Sequence, residues 1–515
     1  MISIQILAAI VLLGFCVFVH ELGHLLGGKM VGIKAKTFSL GYGKGFLKKK
    51  WGDTTYQITL IPFGGYCSFY GENMSDNLEG KSYEFFTASP WRRLVTVAMG
   101  PVFNLIFGIL IFFIMNLVGF SVETNKIRIP EYFARAGIVT PAEKSGLKNG
   151  DRIVSINNQE VYSFEDVMTG IIFSKGNEIA IDVERDNAKL KFKVVPEIFS
   201  EGGFYGIGIM PYGNKILILD VVQGEAAEKA GLKKYDEIYK IDNVVIKSPE
   251  HFVDIIKSNA GNKISLSIIR SNAQKTVEVV PVIKETLTVK NLKNDRYNDV
   301  TDSVTVDKFN LVDEALNSGR LFINGIKITE KDEFINVLND NSGKEISLKI
   351  PGGDFTGEIT YSSFGYLGVS TDVAAEMNYI RYPIKQAFIK AMIDPLNFIV
   401  VNLKGLKMVF TGKVAVRENL SGPLRIAQIA GDTAYYRGIR SFIILMAKIS
   451  IVLMIMNLLP IPAVDGSYIL IFLIEGITRR RMSEKVMQGF QTIGFFILIS
   501  LFIFIMYNDI SNIFR

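Results

Sequence analysis

Cysteine is nearly absent from this chain. Of 515 residues only Cys16 and Cys67 are cysteines, one inside an apolar run and one in a separate loop, so no disulfide framework can be drawn. Histidine is almost as scarce, with three in all. No Lys or Arg precedes Lys29. The first apolar run therefore lacks the basic flank of a cleaved signal peptide and exceeds its usual length, and it reads as a retained membrane span. The excess of 57 basic over 51 acidic residues is small, and the basic residues gather beside apolar runs, as loops facing the cytoplasm do. No nucleic-acid partner is called for.

What the chain has in quantity is apolar sequence, concentrated at its two ends. At 515 residues it is too long for one domain. Four stretches, at about 3–26, 94–119, 441–459 and 487–507, are long enough to cross a bilayer, and each must be helical because lipid leaves backbone groups no other partner. Lys29 to Lys50 follow the first span, Arg92 and Arg93 precede the second, and Arg479 to Lys485 separate the third from the fourth. By the positive-inside tendency, both termini and the segment between spans two and three face outward. The expected fold is a multi-pass α-helical membrane protein with mixed α/β domains inserted between helices 2 and 3. Its expected units are a membrane core at 1–120, outer domains at 121–212, 213–285 and 286–370, amphipathic membrane-surface helices at 371–440, and the rest of the core at 441–515.

Two of the three histidines stand in His20-Glu21-Leu22-Gly23-His24, inside the first span and nearer its cytoplasmic end. Four residues apart on a helix, His20 and His24 face one metal with Glu21 beside them, the H-E-x-x-H arrangement of zinc proteases. Ionisable groups in a lipid-facing helix cost a few kcal/mol each, and a bound metal would offset that. A chance match on a helix facing a protein interior is the bland alternative.

The third span ends in Asn457-Leu458-Leu459-Pro460-Ile461-Pro462-Ala463-Val464-Asp465-Gly466. Two prolines force a break, and breaks within a membrane usually line a cavity. Asp465 is then a buried carboxylate without a local partner. It can complete a His20, His24, Asp465 site with a fourth position open for water, or serve as a helix cap or proton relay. Between the first two spans, Thr54 to Phe69 is rich in β-branched and aromatic residues and broken by Pro62, Gly64 and Gly65, suggesting a cytoplasm-side β-hairpin. An extended substrate could pair with its edge, with Gly43, Ile61, Gly64, Gly65 and Tyr66 as candidate contacts. In the second span, Asn104 reads as a packing hydrogen bond.

The outer region contains a repeat. Ala142-Glu143-Lys144-Ser145-Gly146-Leu147 with Asp151, Ile153 and Ile156 recurs 85 residues later as Ala227-Glu228-Lys229-Ala230-Gly231-Leu232 with Asp236, Ile238 and Ile241. A weaker echo runs through Ile323 to Ile328 and Phe334. The copies resemble bacterial PDZ domains, which bind extended peptides at a sheet edge. That resemblance implies groove residues at Gly206, Ile207 and Gly208, and at Gly365, Leu367 and Gly368, with the third copy degenerate. The modules could equally be spacers with unused grooves.

Taken together, the His20 to His24 motif, Asn419-Leu420-Ser421-Gly422-Pro423, the Asn457 to Gly466 run and the paired modules between spans two and three resemble the site-2 protease family of intramembrane zinc metalloproteases. The resemblance covers nearly the whole chain. It implies one Zn2+ held by His20, His24 and Asp465, Glu21 as catalytic base, and Asn457 as a residue holding substrate near the metal. It further implies a bacterial inner-membrane enzyme of regulated intramembrane proteolysis. Its partners would be membrane lipid, single-span membrane proteins such as anti-sigma factors or remnant signal peptides, and an upstream protease that cuts first, with the PDZ-like modules as a size filter. One departure concerns the site. The family usually continues Leu-Asp-Gly-Gly-His, and here Ser467 and Tyr468 follow Gly466. Two rivals stay open, a non-catalytic membrane scaffold and a metal or proton transporter. Glu21 favours the enzyme, since transport has no clear need for a base beside the ligands.

Overall fold

The computed structural model describes residues 2–72, 79–198, 205–270, 273–294, 297–308, 311–341, 344–350, 353–411 and 422–513; the expected cap at 419–421 lies outside them. Among the described residues four helices are long and apolar enough to cross a membrane, Ile4–Met30, Pro90–Val118, Pro423–Leu458 and Lys485–Ser511. The first, α1 (Ile2–Met30), packs closely on α2 (Pro90–Val118). The reason is local. Gly23 and Gly27 lie one turn apart, and a Cβ on Gly23 would run into the Met99 carbonyl, while one on Gly27 would sit 2.8 Å from the Met99 side chain. Small residues at this spacing let membrane helices touch backbone to backbone.

Between these helices β1 (Ala35–Trp51) and β2 (Thr54–Phe69) form a sheet of their own. The expected hairpin within 54–69 needs correcting, because its two arms do not pair with each other. Ser39 is registered with both Gln57 and Tyr66, and Phe38 with both Tyr56 and Cys67, so the start of β1 lies between the arms. The arm from Gly65 to Phe69 is left as an edge.

The chain after α2 opens with a two-stranded neck, in which Phe120–Glu123 pairs with Met377–Ile380. Beyond it are three modules, each with its own apolar core. The repetition is physical as well as sequential. Asn157, Asp242 and Asn324 all adopt positive φ, and each side-chain oxygen accepts a hydrogen bond from the backbone amide 23 residues on, at Ala180, Ser265 and Ser347. In the first two modules Asp151 and Asp236, both 1% exposed or less, receive two guanidinium bonds from Arg185 and Arg270. The helices α3 (Phe164–Phe173), α4 (Pro249–Ser258) and α5 (Lys331–Asp340) occupy equivalent places.

Here the expected boundaries are corrected. Leu367 is packed in the core of the second module, and Val369–Ala374 pairs with Lys215–Val221 to close that module's sheet. The first module closes in the same way, with Met210–Pro211 on Ile127–Arg128. The third module is therefore inserted into the second: Gly365 and Tyr366 end a strand of the third module's sheet, and the chain returns to the second module at Leu367. Nor is the third copy degenerate in its packing: Leu321, Ile323, Phe334 and Leu348 build a complete core. Its echo is weak because a different carboxylate does the locking. Glu285, 1% exposed, accepts from the Val312 amide and the Tyr361 hydroxyl and pairs with Lys331.

The region expected as separate surface helices at 371–440 is also different. The helix α6 (Ile384–Phe410) packs along α2 and the third span, with Phe398 and Ile399 against a cluster containing Phe112, Ile451 and Ile455. The next helix, α7 (Pro423–Asp432), runs through a π-helical turn at Thr433–Arg437 into α8 (Gly438–Leu458), so the third apolar rod starts well before 441. Asp509 in the last helix caps α7, accepting from the amides of Gly422, Leu424 and Arg425. After the break come α9 (Asp465–Thr478) and α10 (Glu484–Ile513).

Candidate metal centre

The break after α8 delivers Asp465. Pro460 and Pro462 end the helix, Ala463 takes a positive φ of 73° that a side-chain-bearing residue seldom adopts, and Asp465 opens α9. Gly466 allows the turn to close on α8, since a Cβ there would lie 2.6 Å from the Leu458 backbone. Ser467, where the resembled family has Gly, is buried and donates to the Val464 carbonyl at 2.8 Å. Tyr468 uses its hydroxyl on Gln491 of α10. Both departures are thus absorbed in local bonds around the break.

His20, His24 and Asp465 form a group whose ligand atoms lie within 4.8 Å of one another. The two Nε2 atoms are 3.1 Å apart, and Asp465 Oδ2 stands 3.0 Å from His20 Nε2 and 3.5 Å from His24 Nε2. Tetrahedral zinc with ligands at ~2.0–2.1 Å sets its donor atoms ~3.3 Å apart, and these three separations bracket that value. The imidazoles are about nine-tenths buried, and Asp465 Oδ2 is buried without a hydrogen bond. A buried carboxylate oxygen in that state calls for a cation. The His24 Nδ1 lies 3.0 Å from the Thr96 carbonyl, which fixes its proton there and leaves the Nε2 lone pair facing the group. On every count the residues present fit a zinc ion.

Room for the rings comes from α2. A Cβ on Gly100 would strike the His24 ring and come 3.0 Å from that of His20. Asn104, fully buried, places its amide 3.3 Å from His20 Nδ1. The packing role expected of it is incomplete, because it touches a ring of the metal group. Thr96, Gly100 and Asn104 follow one another at four-residue spacing on one face of α2, a signal available in the sequence.

Glu21 is half-buried beside the histidines. The edge of β2 reaches it: a Cβ on Gly65 would be 3.6 Å from Glu21 Cγ. The other hairpin candidates lie around this point. Tyr66 accepts from Gln57 and stacks near Tyr42, Ile61 is exposed and registered with Tyr42, and Gly43 and Gly64 take the positive φ that their turns require. Asn457 is half-buried one residue before the end of α8. The groove candidates fall far from the metal group in sequence and in two separate modules. Ile207 is a core residue of the first and Leu367 of the second, each accepting an amide bond from a short helix, at Ala142 and Ala227. Gly208 and Gly368 hold positive φ beside them, Gly206 pairs with Glu197, and a Cβ on Gly365 would run into the Ile256 carbonyl of α4.

With this geometry, the match of residues 8–501 to peptidase family M50 has a physical basis: the chain belongs to that family, the site-2 proteases, and is a membrane zinc metalloprotease with zinc as its cofactor. It is similar to the regulator of sigma-E protease RseP of Escherichia coli, 27% identical over 98% of both chains, and to the regulator of sigma E protease of Haemophilus influenzae, 25% over 97% of both. A protein of Helicobacter pylori bearing a zinc metalloprotease name is 32% identical over 45% of this chain and 67% of its own.

Proposed function

We propose that this protein is an intramembrane endopeptidase of the inner membrane, cutting the spans of single-span membrane proteins, with His20, His24 and Asp465 as zinc ligands and Glu21 as the base. The observation that carries this reading is the bare Asp465 oxygen, set against two imidazole nitrogens in one wall of which Glu21 is the next residue. The chemistry zinc supplies there when bound is activation of water near neutral pH and polarisation of the scissile carbonyl. Glu21 takes the proton from that water and returns it to the leaving amine. A substrate span must be extended before its carbonyls are accessible, and the Gly65–Phe69 edge beside Glu21 offers it backbone hydrogen bonds. Asn457 at the break steadies the segment.

The outer modules, read as PDZ-like, act as a filter that admits substrates already shortened by another protease, of anti-sigma-factor type or remnant signal peptides. The neck supports this arrangement, since Phe120–Glu123 pairs with Met377–Ile380 where the modules join the membrane helices. Both termini and this part face outward, and the metal group lies toward the cytoplasmic side. The test is a reconstituted cleavage assay on single-span substrates with long and trimmed outer domains. The intact chain should cut only the trimmed form, and a chain lacking 124–376 should cut both. Equal cutting of both by the intact chain overturns the filter, and metal flux without cleavage overturns the protease reading itself.

A further inference from the structure

Resting on that assignment of ligands, we infer that Asn104, held by Ser450, is the positioning residue that fixes His20 in its metal-binding tautomer. An imidazole ligates through Nε2 only when its proton sits on Nδ1, and that proton needs an acceptor. For His24 the acceptor is the Thr96 carbonyl. For His20 the one neighbour of Nδ1 among the described side chains is the Asn104 amide at 3.3 Å.

Proton bookkeeping decides which end of that amide faces the ring. Ser450 Oγ, also fully buried, lies 3.1 Å from the Asn104 carbonyl oxygen and 3.1 Å from the outer atom of its side-chain amide. A hydroxyl has one proton. If the amide oxygen faced Ser450, two acceptors would compete for that proton, and His20 Nδ1 would have to accept from the amide nitrogen, moving the ring proton to Nε2. With the amide turned, every contact has its own proton. Ser450 donates to the Asn104 carbonyl, the Asn104 nitrogen donates to Ser450, and the Asn104 oxygen accepts from His20 Nδ1–H. Nitrogen and oxygen of an amide are interchangeable in shape, so the network selects the orientation. The turned form is the one in which the Nε2 lone pair faces Asp465 and His24. The relay spans three helices, Ser450 on α8, Asn104 on α2 and His20 on α1, which gives the first and third spans a common register at the metal.

The test measures zinc affinity of the full chain in detergent by competition with a chromophoric chelator, together with the visible absorption of the cobalt-loaded protein. Asn104→Leu, which fills the space without an acceptor, should raise the zinc Kd about 10- to 100-fold and alter the cobalt spectrum, the usual cost of losing a ligand's hydrogen-bond partner. Asn104→Asp keeps the acceptor and should stay within a few-fold of the parent. Ser450→Ala, the mildest change, should raise the Kd by a smaller factor. If Asn104→Leu does not fold, Asp and Ala carry the test. An unchanged Kd in Ser450→Ala and Asn104→Leu, or an Asn104→Asp that binds no better than Asn104→Leu, overturns the inference. His20→Ala and Asp465→Ala run in parallel. If those two leave zinc binding intact, the ligand assignment itself falls.

Discussion

Two buried polar clusters occupy the same bundle, and the contrast between them separates a strut from a site. Arg93 on α2 and Glu475 on α9 are 1% and 2% exposed and pair at 2.7 Å. Both carboxylate oxygens of Glu475 are served, Oε2 by Arg93 and Oε1 by the Met482 amide, and the guanidinium lies 4.5 Å from the centre of the Phe472 ring. Charge is balanced within the protein. At the other end of α9, ten residues earlier, Asp465 faces the imidazoles of His20 and His24, and its Oδ2 has no hydrogen bond. The first cluster clamps α9 to α2, and the second is a group that could hold a metal ion. A buried carboxylate with a full set of donors is structure, whereas one lacking them is an invitation to a cation.

The sharpest way to break this contrast is to disable each cluster in turn. Glu21→Gln should cut the cleavage rate by about 10^2- to 10^4-fold with zinc content and thermal stability unaltered, as seen in a reconstituted assay and by metal analysis. Zinc loss in that variant would make Glu21 part of the ligand set. Glu475→Ala should act in the opposite sense. Leaving Arg93 buried and unpaired should cost about 3–5 kcal/mol of stability, read from unfolding in detergent. The double replacement Arg93→Met with Glu475→Leu should recover most of it. If the double variant is no more stable than the single one, the pair does more than hold two helices together.

A weaker case of the same kind lies in the modules beyond the neck. Asp151→Asn removes the carboxylate that takes two of the three guanidinium bonds of Arg185, the other going to the Gly146 carbonyl, and about 2–3 kcal/mol should go with it. Only the first module should loosen, as judged by hydrogen exchange along Arg152–Ile156. Loosening that spreads to the second module would show that the locks are coupled.

How much of this was legible in the chain follows from where the information sits. His20, Glu21 and His24 are adjacent in sequence, so helical spacing alone brings them together, and Asp465 was recoverable because two prolines and a carboxylate are anomalous in an apolar run. Arg93 and Glu475 are 382 residues apart with no motif between them, and only tertiary packing joins them. The nesting of the third module inside the second was hidden for a related reason: a repeat shows that copies exist, but the strand Val369–Ala374 reveals its owner only by pairing with Lys215–Val221. The arms of 54–69 pair with the start of β1 and not with each other, and composition announces strands without naming their partners. The contact of Asn104 with His20 is not legible in sequence, since an asparagine in an apolar helix looks alike whether it meets a backbone or an imidazole.

The smallest expected effect concerns a third carboxylate, Asp432 at the end of α7, which lies between the two extremes. It accepts from Lys234 at 3.1 Å, from the Tyr235 hydroxyl at 2.5 Å and from Gln5 at 3.4 Å, and the Tyr235 ring lies 3.8 Å from that of Tyr436. These contacts tie the second module to the π-helical turn at the head of the third span. Tyr235 adopts a φ of 70°, a conformation that tyrosine seldom takes and that the contact must help to hold. Tyr235→Phe keeps the ring stack and removes one hydroxyl, a change of about 1 kcal/mol. Amide exchange at Thr433–Arg437 should then quicken roughly five-fold, with global stability and zinc binding untouched. An unaltered exchange rate would mean that Lys234 and Gln5 satisfy Asp432 alone. It would then belong with Glu475 as a closed strut, and the module would be fastened to the membrane core by its charges.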